Sequence, residues 1–329
     1  MLHLGIDIAK ETFEVVLLEG EGEHVLRGRF DNHSTGFAQL GRWLKKRCKE
    51  RPVHACLEAT GRYGEALALF LHEAGMEVSV VNPRAVKKYA ESTLQRNKTD
   101  RADALLIAQY LLRVQPDPWS PPSPAILELR EMVRHLQALK TDRTRQQNRE
   151  QAGGRSPAVQ AAIATHIAFL DEQIAQLAQQ INAHIDRHPD LKQDKELLTS
   201  IPGIGDVCAA TFIAEIPDIS RFDRAGQIAA FAGLTPGQNQ SGTSLSGSHL
   251  VKWGNAHSRA VFYMPALSAH LWNPVIAALR ERLLARGKSK MTVVVAVMRK
   301  LIHLCFGVLK TRRPFDAHHA VGPLPALDF

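Results

Sequence analysis

Two aspartates, Asp100 and Asp103, stand three residues apart at the start of an apolar run with the composition of a helix. Positions i and i+3 of a helix lie on nearly the same face, so the two carboxylates are expected to point one way. Two anions about 4 Å apart repel by about 4 kcal/mol at an effective dielectric constant near 20. Because a divalent cation removes this repulsion and carboxylate oxygens suit Mg²⁺, the pair is a candidate metal site. The alternative interpretation is that Asp100 is a helix N-cap and Asp103 a solvated first-turn acid.

Two more acids, Asp7 and Glu58, stand at the ends of predicted strands over residues 2–8 and 53–58. Acids at strand ends beside loop residues are typical of the sites of α/β proteins, although a lone one is usually a solvated charge. Together with the aspartate pair they form a set that suits two-metal phosphodiester chemistry. In that chemistry the metals activate the attacking oxygen and stabilise the leaving one.

The elements that must position these acids follow from the hydrophobic pattern. Three consecutive strands come first, and helices and strands then alternate, which is the order of an RNase H-like mixed sheet. The predicted elements are strands 2–8, 13–18 and 24–30, helix 36–49, strand 53–58, helix 65–74 and strand 77–81.

The rest of the chain is predicted to be mostly helical. Four prolines in 118–124 predict a linker, and the apolar residues of 167–181 step by three and four, as in a coiled coil or a helix hairpin. The fold class is therefore α/β plus α, with an RNase H-like domain over 1–118, a helical or coiled-coil segment over 119–190 and a mostly α domain over 191–329.

The third region contains two further motifs. Gly203 and Gly205 form a turn between predicted helices, an arrangement typical of helix-hairpin-helix motifs whose backbone amides hold a DNA phosphate. Any tight turn between helices also needs glycine. Residues 237–248 form a polar Gly/Ser/Gln/Asn stretch that is either a linker or an active-site loop, and Lys252 and Arg259 beyond it are cations that could hold phosphate. A serine in such a loop is a poor nucleophile until a base or a metal activates it, and composition does not choose among Ser241, Ser244, Ser246 and Ser248.

The composition of the chain indicates which kinds of ligand and environment to expect. The net charge is +8, and from residue 191 onward 16 basic residues face 9 acidic ones, which indicates a polyanionic ligand. The four cysteines are widely spaced, which argues against a disulfide framework or a thiolate zinc site and favours a reducing cytoplasm. The N-terminus does not have the pattern of a signal peptide, and Arg299 closes the apolar run 293–298, so we expect no membrane association.

Several motifs occur together in one order, and this combination resembles the DEDD-type (RuvC-like) insertion-sequence transposases. Those proteins carry a C-terminal serine-bearing transposase domain and are recombinases guided by a bridge RNA. The motifs that carry the resemblance are Gly5-Ile6-Asp7-Ile8-Ala9-Lys10, Leu57-Glu58-Ala59-Thr60-Gly61, Asn97-Lys98-Thr99-Asp100-Arg101-Ala102-Asp103-Ala104, Ile201-Pro202-Gly203-Ile204-Gly205 and Phe231-Ala232-Gly233-Leu234-Thr235-Pro236 followed by Ser241-Gly242.

The resemblance implies a full catalytic apparatus. Mg²⁺ would be held by four acids, and a serine would attack a DNA phosphate to form a phosphoserine link. The implied partners are double-stranded donor and target DNA, a structured bridge RNA and further copies of the chain in a dimer or tetramer, acting in the cytoplasm at the nucleoid. The implied catalytic residues are Asp7, Glu58, Asp100, Asp103 and Ser241, and the expected nucleic-acid-binding residues are Lys98, Arg101, Gly203, Gly205, Lys252 and Arg259.

Two alternatives stay open at this point. The same acids could serve a Holliday-junction-type endonuclease that uses water as the nucleophile. The chain could also be a non-enzymatic, basic nucleic-acid-binding protein whose acids are helix caps and surface charges.

Overall fold

The computed structural model describes residues 1–20, 24–49, 51–59, 61–93, 100–216, 218–241, 245–251 and 253–317. The chain divides into two compact units, Met1–Pro121 and Pro122–Phe329. The helical segment predicted over 119–190 thus falls largely in one unit with the C-terminal residues, and the three-part functional division of the chain stays a prediction.

The N-terminal unit is built on a five-stranded mixed sheet of order β3-β2-β1-β4-β5. The first three strands are antiparallel neighbours, and β1, β4 and β5 run parallel. The strands are β1 Leu2–Ile8, β2 Thr12–Glu19, β3 His24–Asp31, β4 Val53–Glu58 and β5 Glu77–Val81.

Helices cover both faces of this sheet. Alternate strand residues such as Leu4 and Ile6 pack into one core with α1 and α2, while α3 and α4 cover parts of the other face. The helices of this unit are α1 Ser34–Cys48, α2 Arg62–Glu73, α3 Pro83–Ser92 and α4 Asp100–Val114.

The C-terminal unit is mostly helical around one large core and carries a two-stranded antiparallel ribbon. Its long helices α5 and α6 pack along each other, as the apolar spacing predicts. The elements are α5 Pro124–Gln151, α6 Pro157–Asp186, α7 Pro189–Thr199, α8 Asp206–Glu215, α9 Ala225–Phe231, β6 Thr235–Ser241, β7 Leu245–Val251, α10 Ala256–Val261, α11 Tyr263–Ser268, α12 Pro274–Ala285 and α13 Lys290–Thr311, with 3-10 turns at Ile219–Arg221 and Ala269–Leu271.

The predicted class, a mixed α/β part followed by a mostly helical remainder, is confirmed, but two local predictions change. The polar stretch 237–248 is not simply a loop, because β6 and β7 pair across it. The sequence predicts no helix directly after the strand 77–81, whereas the structure has α3 there. Asn82 is in fact the N-cap of that helix, its side chain accepting a hydrogen bond from the Arg84 amide at 3.0 Å, and Pro83 is the first helical residue.

Helix α13 is long and apolar enough to cross a membrane by length and composition alone. Its residues Val297, Leu301 and Cys305 are buried in the core of the C-terminal unit. We therefore describe α13 as a core helix of this unit.

Candidate functional site

Asp7 and Glu58 lie side by side where the neighbouring strands β1 and β4 end. We call this end of the two strands, with its two carboxylates, the acid edge. Their strands are parallel neighbours in which Ile6 pairs with Leu57, so each acid follows directly after a paired residue. Neighbouring strands are about 4.8 Å apart, which makes the two acids lateral neighbours. Both side chains are half-buried.

The two acids also share a face of the sheet. A side chain on Gly5 would clash with the backbone of Ala104 and Ala108, so Gly5 faces α4. Asp7 stands two residues further along the strand and therefore faces the same side. Cys56, which pairs with Gly5, packs into a core with α4, and Glu58 is likewise two residues beyond it.

The charge of Glu58 affects the pKa of Cys56, its buried neighbour. Burial raises the pKa of the Cys56 thiol to about 12, and the carboxylate of Glu58 contributes to the increase. The thiol is consequently un-ionised at neutral pH and serves as a packing residue beneath the acid edge.

Helix α4 brings Asp103 to the same region. The next residue, Ala104, is fully buried opposite Gly5, so Asp103 stands one residue from the contact between α4 and the strand that carries Asp7. Asp103 itself is half-buried. Asp100 is the first residue of α4, but its side chain and that of Arg101 lie outside the description, as does all of Lys98.

Three of the four predicted acids thus belong to one sheet face and one helix start. Among the described residues, no three His, Cys, Asp or Glu side chains are close enough together to hold a metal ion, and the carboxylate of Asp100 is not part of that set. The donors are all carboxylate oxygens, which match the preference of Mg²⁺. The four-acid metal site stays a prediction.

A further acid, Glu14, lies beside Asp7. The two residues are directly paired across β1 and β2, and both therefore face the α4 side of the sheet. Alternation alone places Glu14 on the face opposite Phe13 and Val15, which are buried. The register of the predicted hairpin contained this information, but the sequence interpretation did not use it.

Ser241 is the last residue of β6, and it pairs with Leu245. It therefore stands at the end of the paired strands that is farthest from Thr235 and Val251. The side chains of 238–249 lie outside the description, so the serine hydroxyl stays a predicted nucleophile.

The base of this ribbon is fixed by residues that the sequence interpretation missed. Glu215, which is only 3% exposed, accepts two hydrogen bonds from Arg134, at 2.7 and 2.8 Å, and one from the Asn255 side-chain amide at 2.6 Å. The Asn255 backbone N–H donates to the Phe231 carbonyl at 2.7 Å, and Gly254 lies so close to Ala232 that a Cβ atom would not fit. The chain that leaves β7 is thereby anchored to the helical core.

The ionisation of Glu215 follows from these contacts. Burial opposes the charged form, but the hydrogen bonds from Arg134 and Asn255 and the nearby charges of Arg134 and His257 outweigh it. The pKa of Glu215 is therefore held below its ordinary value, and the anchor is an ion pair at neutral pH.

Three of the residues predicted to bind nucleic acid in this unit, Gly203, Gly205 and Arg259, have structural roles of their own. Gly203 has φ = 101°, and a Cβ there would meet Ala269, so packing alone demands glycine. Gly205 is the exposed N-cap residue of α8. Arg259 donates to the Ala232 carbonyl at 3.3 Å. Lys252 lies outside the description, and nucleic-acid binding by these residues stays a prediction.

Comparison with known proteins finds transposase families in both parts of the chain. Residues 4–152 match the family model of the IS110-type DEDD transposases, described as a transposase, and residues 195–281 match the transposase family IS116/IS110/IS902.

Similar proteins extend over nearly the whole chain. A pilin gene-inverting protein of Moraxella bovis is 32% identical over 317 residues, which are 95% of this chain and 97% of the relative. The transposase for insertion sequence element IS1111A of Coxiella burnetii is 25% identical, covering 89% of this chain and 86% of its own length. The chain therefore belongs to the IS110/IS116 family of insertion-sequence transposases.

Proposed function

We propose that this protein is the transposase of an insertion sequence that catalyses RNA-guided cleavage and exchange of DNA strands through a phosphoserine intermediate. The observation that carries the proposal is the placement of Asp7 and Glu58 on adjacent parallel strands, with Asp103 one residue from the α4–β1 contact. The strand order, with three antiparallel strands followed by two parallel ones, supports an RNase H-like (RuvC-like) identity for this domain.

The four carboxylates of Asp7, Glu58, Asp100 and Asp103 would hold Mg²⁺, and their hard oxygen donors suit it. When bound, Mg²⁺ supplies positive charge that lowers the pKa of a hydroxyl and neutralises the charge of the phosphate. The half-buried setting of the described acids reduces the competition of water for these contacts.

The serine step conserves the energy of the phosphodiester bond. The oxygen of Ser241 bonds to phosphorus as its proton leaves, the bond from phosphorus to one deoxyribose oxygen breaks, and that oxygen takes up a proton to become a hydroxyl. Reversal of the step with a hydroxyl from another strand joins the new pair and frees the serine. Arg259 and Lys252, near the ribbon in sequence, are candidates for holding the phosphate.

The name of one relative favours recombination over simple hydrolysis. A pilin gene-inverting protein is named for inverting a gene, and inversion requires rejoining as well as cutting. A nuclease that uses water loses the phosphodiester energy at the cutting step. Membership in a transposase family also speaks against a purely binding role.

The proposed partners are donor and target duplex DNA, a structured bridge RNA and a second or further copy of the chain, in the cytoplasm. The excess of 16 basic over 9 acidic residues from residue 191 onward supports a large polyanionic ligand. Oligomerisation would let the acids of one protomer and the serine of another act on one phosphate.

Trapping the covalent intermediate tests the proposal. The full chain, with RNA transcribed from the non-coding end of its element, is incubated with a nicked duplex that carries the element end and loses the leaving strand after cleavage. We expect a protein–DNA adduct that survives denaturation, requires Mg²⁺ and is absent from Ser241→Ala. Ser246→Ala, in the facing strand of the same ribbon, is the matched control and should keep the adduct.

The other outcomes are equally informative. Cleavage without an adduct, unchanged in Ser241→Ala, would overturn the serine mechanism in favour of the endonuclease. Binding without Mg²⁺-dependent cleavage, unaltered by Asp100→Asn, would favour the non-enzymatic alternative. An adduct that forms equally well without RNA would overturn RNA guidance alone.

A further inference from the structure

The α4-facing side of the sheet continues past the acid edge into a cleft on β2 and β3. This cleft has a volume of about 330 Å³, and the residues that line it are Glu14, Val15, Val16, Arg27, Gly28 and Arg29. It lies entirely within the N-terminal unit. None of the catalytic or nucleic-acid-binding residues predicted from the sequence lines it.

Strand register fixes the position of the cleft relative to the acids. Asp7 pairs with Glu14, and Glu14 pairs in turn with Arg29, so one row runs across three strands. Val16 pairs with Arg27 in the same way. Because residues two apart on a strand share a face, both arginines stand on the side of the sheet that Asp7 faces.

The packing around Val16 confirms this orientation. Val16 is 2% exposed and shares a small core with Ala104 and Ala108 of α4. The opposite side of this strand pair is closed, because Val15 belongs to the core under α1 and the ring of Phe30 packs against it. The open side of the cleft is thus the α4 side.

Distances along the row suit a phosphodiester strand. Two strand spacings separate the Asp7 and Arg29 backbones by about 10 Å, and an arginine side chain spans much of that distance. Arg27 and Arg29 are two residues apart, about 7 Å along the strand. The pair can therefore contact successive phosphates of a strand whose reacting phosphate lies at the acid edge.

Both arginines present charge to the cleft. They are exposed, and the guanidinium of Arg29 donates to the Thr12 hydroxyl at 3.3 Å, which leaves most of its five donors for other acceptors. Glu14 stands between Arg29 and Asp7 in this row. The negative Glu14 separates the arginines from the acid edge, so an anion is favoured at the β3 side of the cleft.

We propose that Arg27 and Arg29 form a binding subsite for the sugar–phosphate backbone of the DNA strand that enters the acid edge. The subsite is sequence-independent, since guanidinium groups on an open cleft contact phosphates and do not reach base edges. This inference rests on the proposed function for the identity of the strand. The binding of a polyanion in the cleft does not depend on the serine mechanism.

The salt dependence of binding tests the subsite directly. Affinities of the full chain for a mixed-sequence single-stranded oligonucleotide and for its duplex are measured from 50 to 300 mM NaCl. Each lost phosphate contact lowers the slope of log K against log salt by about 0.7 on single strands and about 0.9 on duplex. Arg27→Ala/Arg29→Ala should therefore reduce the slope by about 1.4 and about 1.8, respectively.

Two further variants guard the conclusion. Lys45→Ala/Lys46→Ala removes the same charge from exposed positions of α1, on the other side of the sheet, and should leave the slope unchanged. Arg27→Gln/Arg29→Gln keeps long polar side chains and serves if the alanine pair proves unstable. An unaltered slope in a folded double variant, or an equal loss in the lysine control, would overturn the subsite.

A second experiment combines the arginine variant with altered substrates to find which phosphate of the DNA strand the arginines contact. The nicked substrate is prepared with single neutral methylphosphonates one to three nucleotides from the cleaved phosphate. One of these should slow adduct formation at least tenfold in the unsubstituted protein and have no further effect in Arg27→Ala/Arg29→Ala. If no adduct forms in any protein, the proposed function fails while the salt experiment still decides the subsite. If adducts form and no position shows this coupling, the placement of the subsite beside the acid edge is wrong.

Discussion

The acid edge of the N-terminal unit and the β6–β7 ribbon of the C-terminal unit, which carries Ser241, are built in different ways. Asp7 and Glu58 end strands of a five-stranded sheet, and α4 is held against that sheet through a glycine. Ser241 ends one strand of an isolated two-stranded ribbon whose base is anchored by an ion pair to the helical core. Two-stranded ribbons are marginal on their own, whereas a sheet covered by helices is not. The acids are therefore positioned by main-chain register, and the serine depends on a side-chain anchor.

Among substitutions that test this difference, Gly5→Ala is expected to change stability most. The added methyl group would overlap the backbone of Ala104 and Ala108, so α4 must move away from β1. Overpacking of this kind costs about 1–3 kcal/mol, and a rigid backbone contact belongs at the upper end. We expect the unfolding free energy of the N-terminal unit to fall by about 3 kcal/mol, measured by denaturant unfolding.

The matched control is Gly41→Ala in α1. Its Cβ would lie 3.5 Å from the ring of Phe70, an ordinary contact, and alanine is favoured in helices by about 0.5–1 kcal/mol. Equal stability of Gly5→Ala and the unsubstituted protein would show that α4 is not held by this close approach.

The anchor of the ribbon should respond to Glu215→Gln. The change leaves Arg134 without its carboxylate, which costs about 3–5 kcal/mol for a fully buried pair. Because the Arg134 side chain keeps 35% exposure, we expect about 2 kcal/mol, measured by thermal unfolding of the C-terminal unit. Adduct formation should fall as well, because the Arg134–Glu215 ion pair helps to hold Asn255 and the base of the ribbon in place.

An exposed ion pair in the same unit provides the comparison. Asp171→Asn breaks the pair with Arg143, in which both side chains are more than a third exposed. Such pairs contribute about 0–1 kcal/mol. If this variant is destabilised as much as Glu215→Gln, the anchor has no special role.

A further effect is expected when the stability of the C-terminal unit is measured as a function of pH. Burial, with the charges of Arg299 and Lys300, lowers the pKa of His303 from 6.5 to about 4. Between these values the unfolded chain binds a proton that the folded unit does not, so stability falls as the pH drops from about 6.5 to about 4. The depressed pKa of Glu215 acts in the same direction, because its contribution is present above the ordinary value of 4.5 and is lost as the pH falls through the folded pKa.

Unfolding midpoints at pH 7, 5.5 and 4.5 would measure this dependence. His303→Gln has no group that titrates there, so its midpoint should change less over that range. If the midpoints of the two proteins changed equally with pH, folding would not lower the pKa of His303.

The strands that carry Asp7 and Glu58 were easier to predict from the sequence than the fold around Ser241, for a physical reason. The alternation of Leu2, Leu4 and Ile6 and the position of Asp7 are local features, and strand ends of a parallel pair meet at one edge. The Arg134–Glu215–Asn255 network joins residues 40 and 81 positions apart, and no local periodicity records such a contact.

The ribbon was difficult to predict for a related reason. Its strands are rich in Gly, Ser, Gln and Asn and contain few of the β-branched and aromatic residues that favour strands. The anchor that holds the base of the ribbon joins residues far apart in the sequence. To predict the cleft at Arg27 and Arg29, one needs the register between β2 and β3, which tells which residues share a face of the sheet. One also needs the position of α4, which shows the face on which the cleft opens.

The central claim is that the acid edge and Ser241 act on the same phosphate, and the adduct yield of Asp7→Asn tests it most directly. This variant keeps Ser241 and changes only the charge of one carboxylate. We predict that adduct formation falls at least a hundredfold under Mg²⁺ conditions in which Glu73→Gln, an exposed acid in α2, is unchanged. An Asp7→Asn protein that forms the serine adduct at the unsubstituted rate would contradict the account.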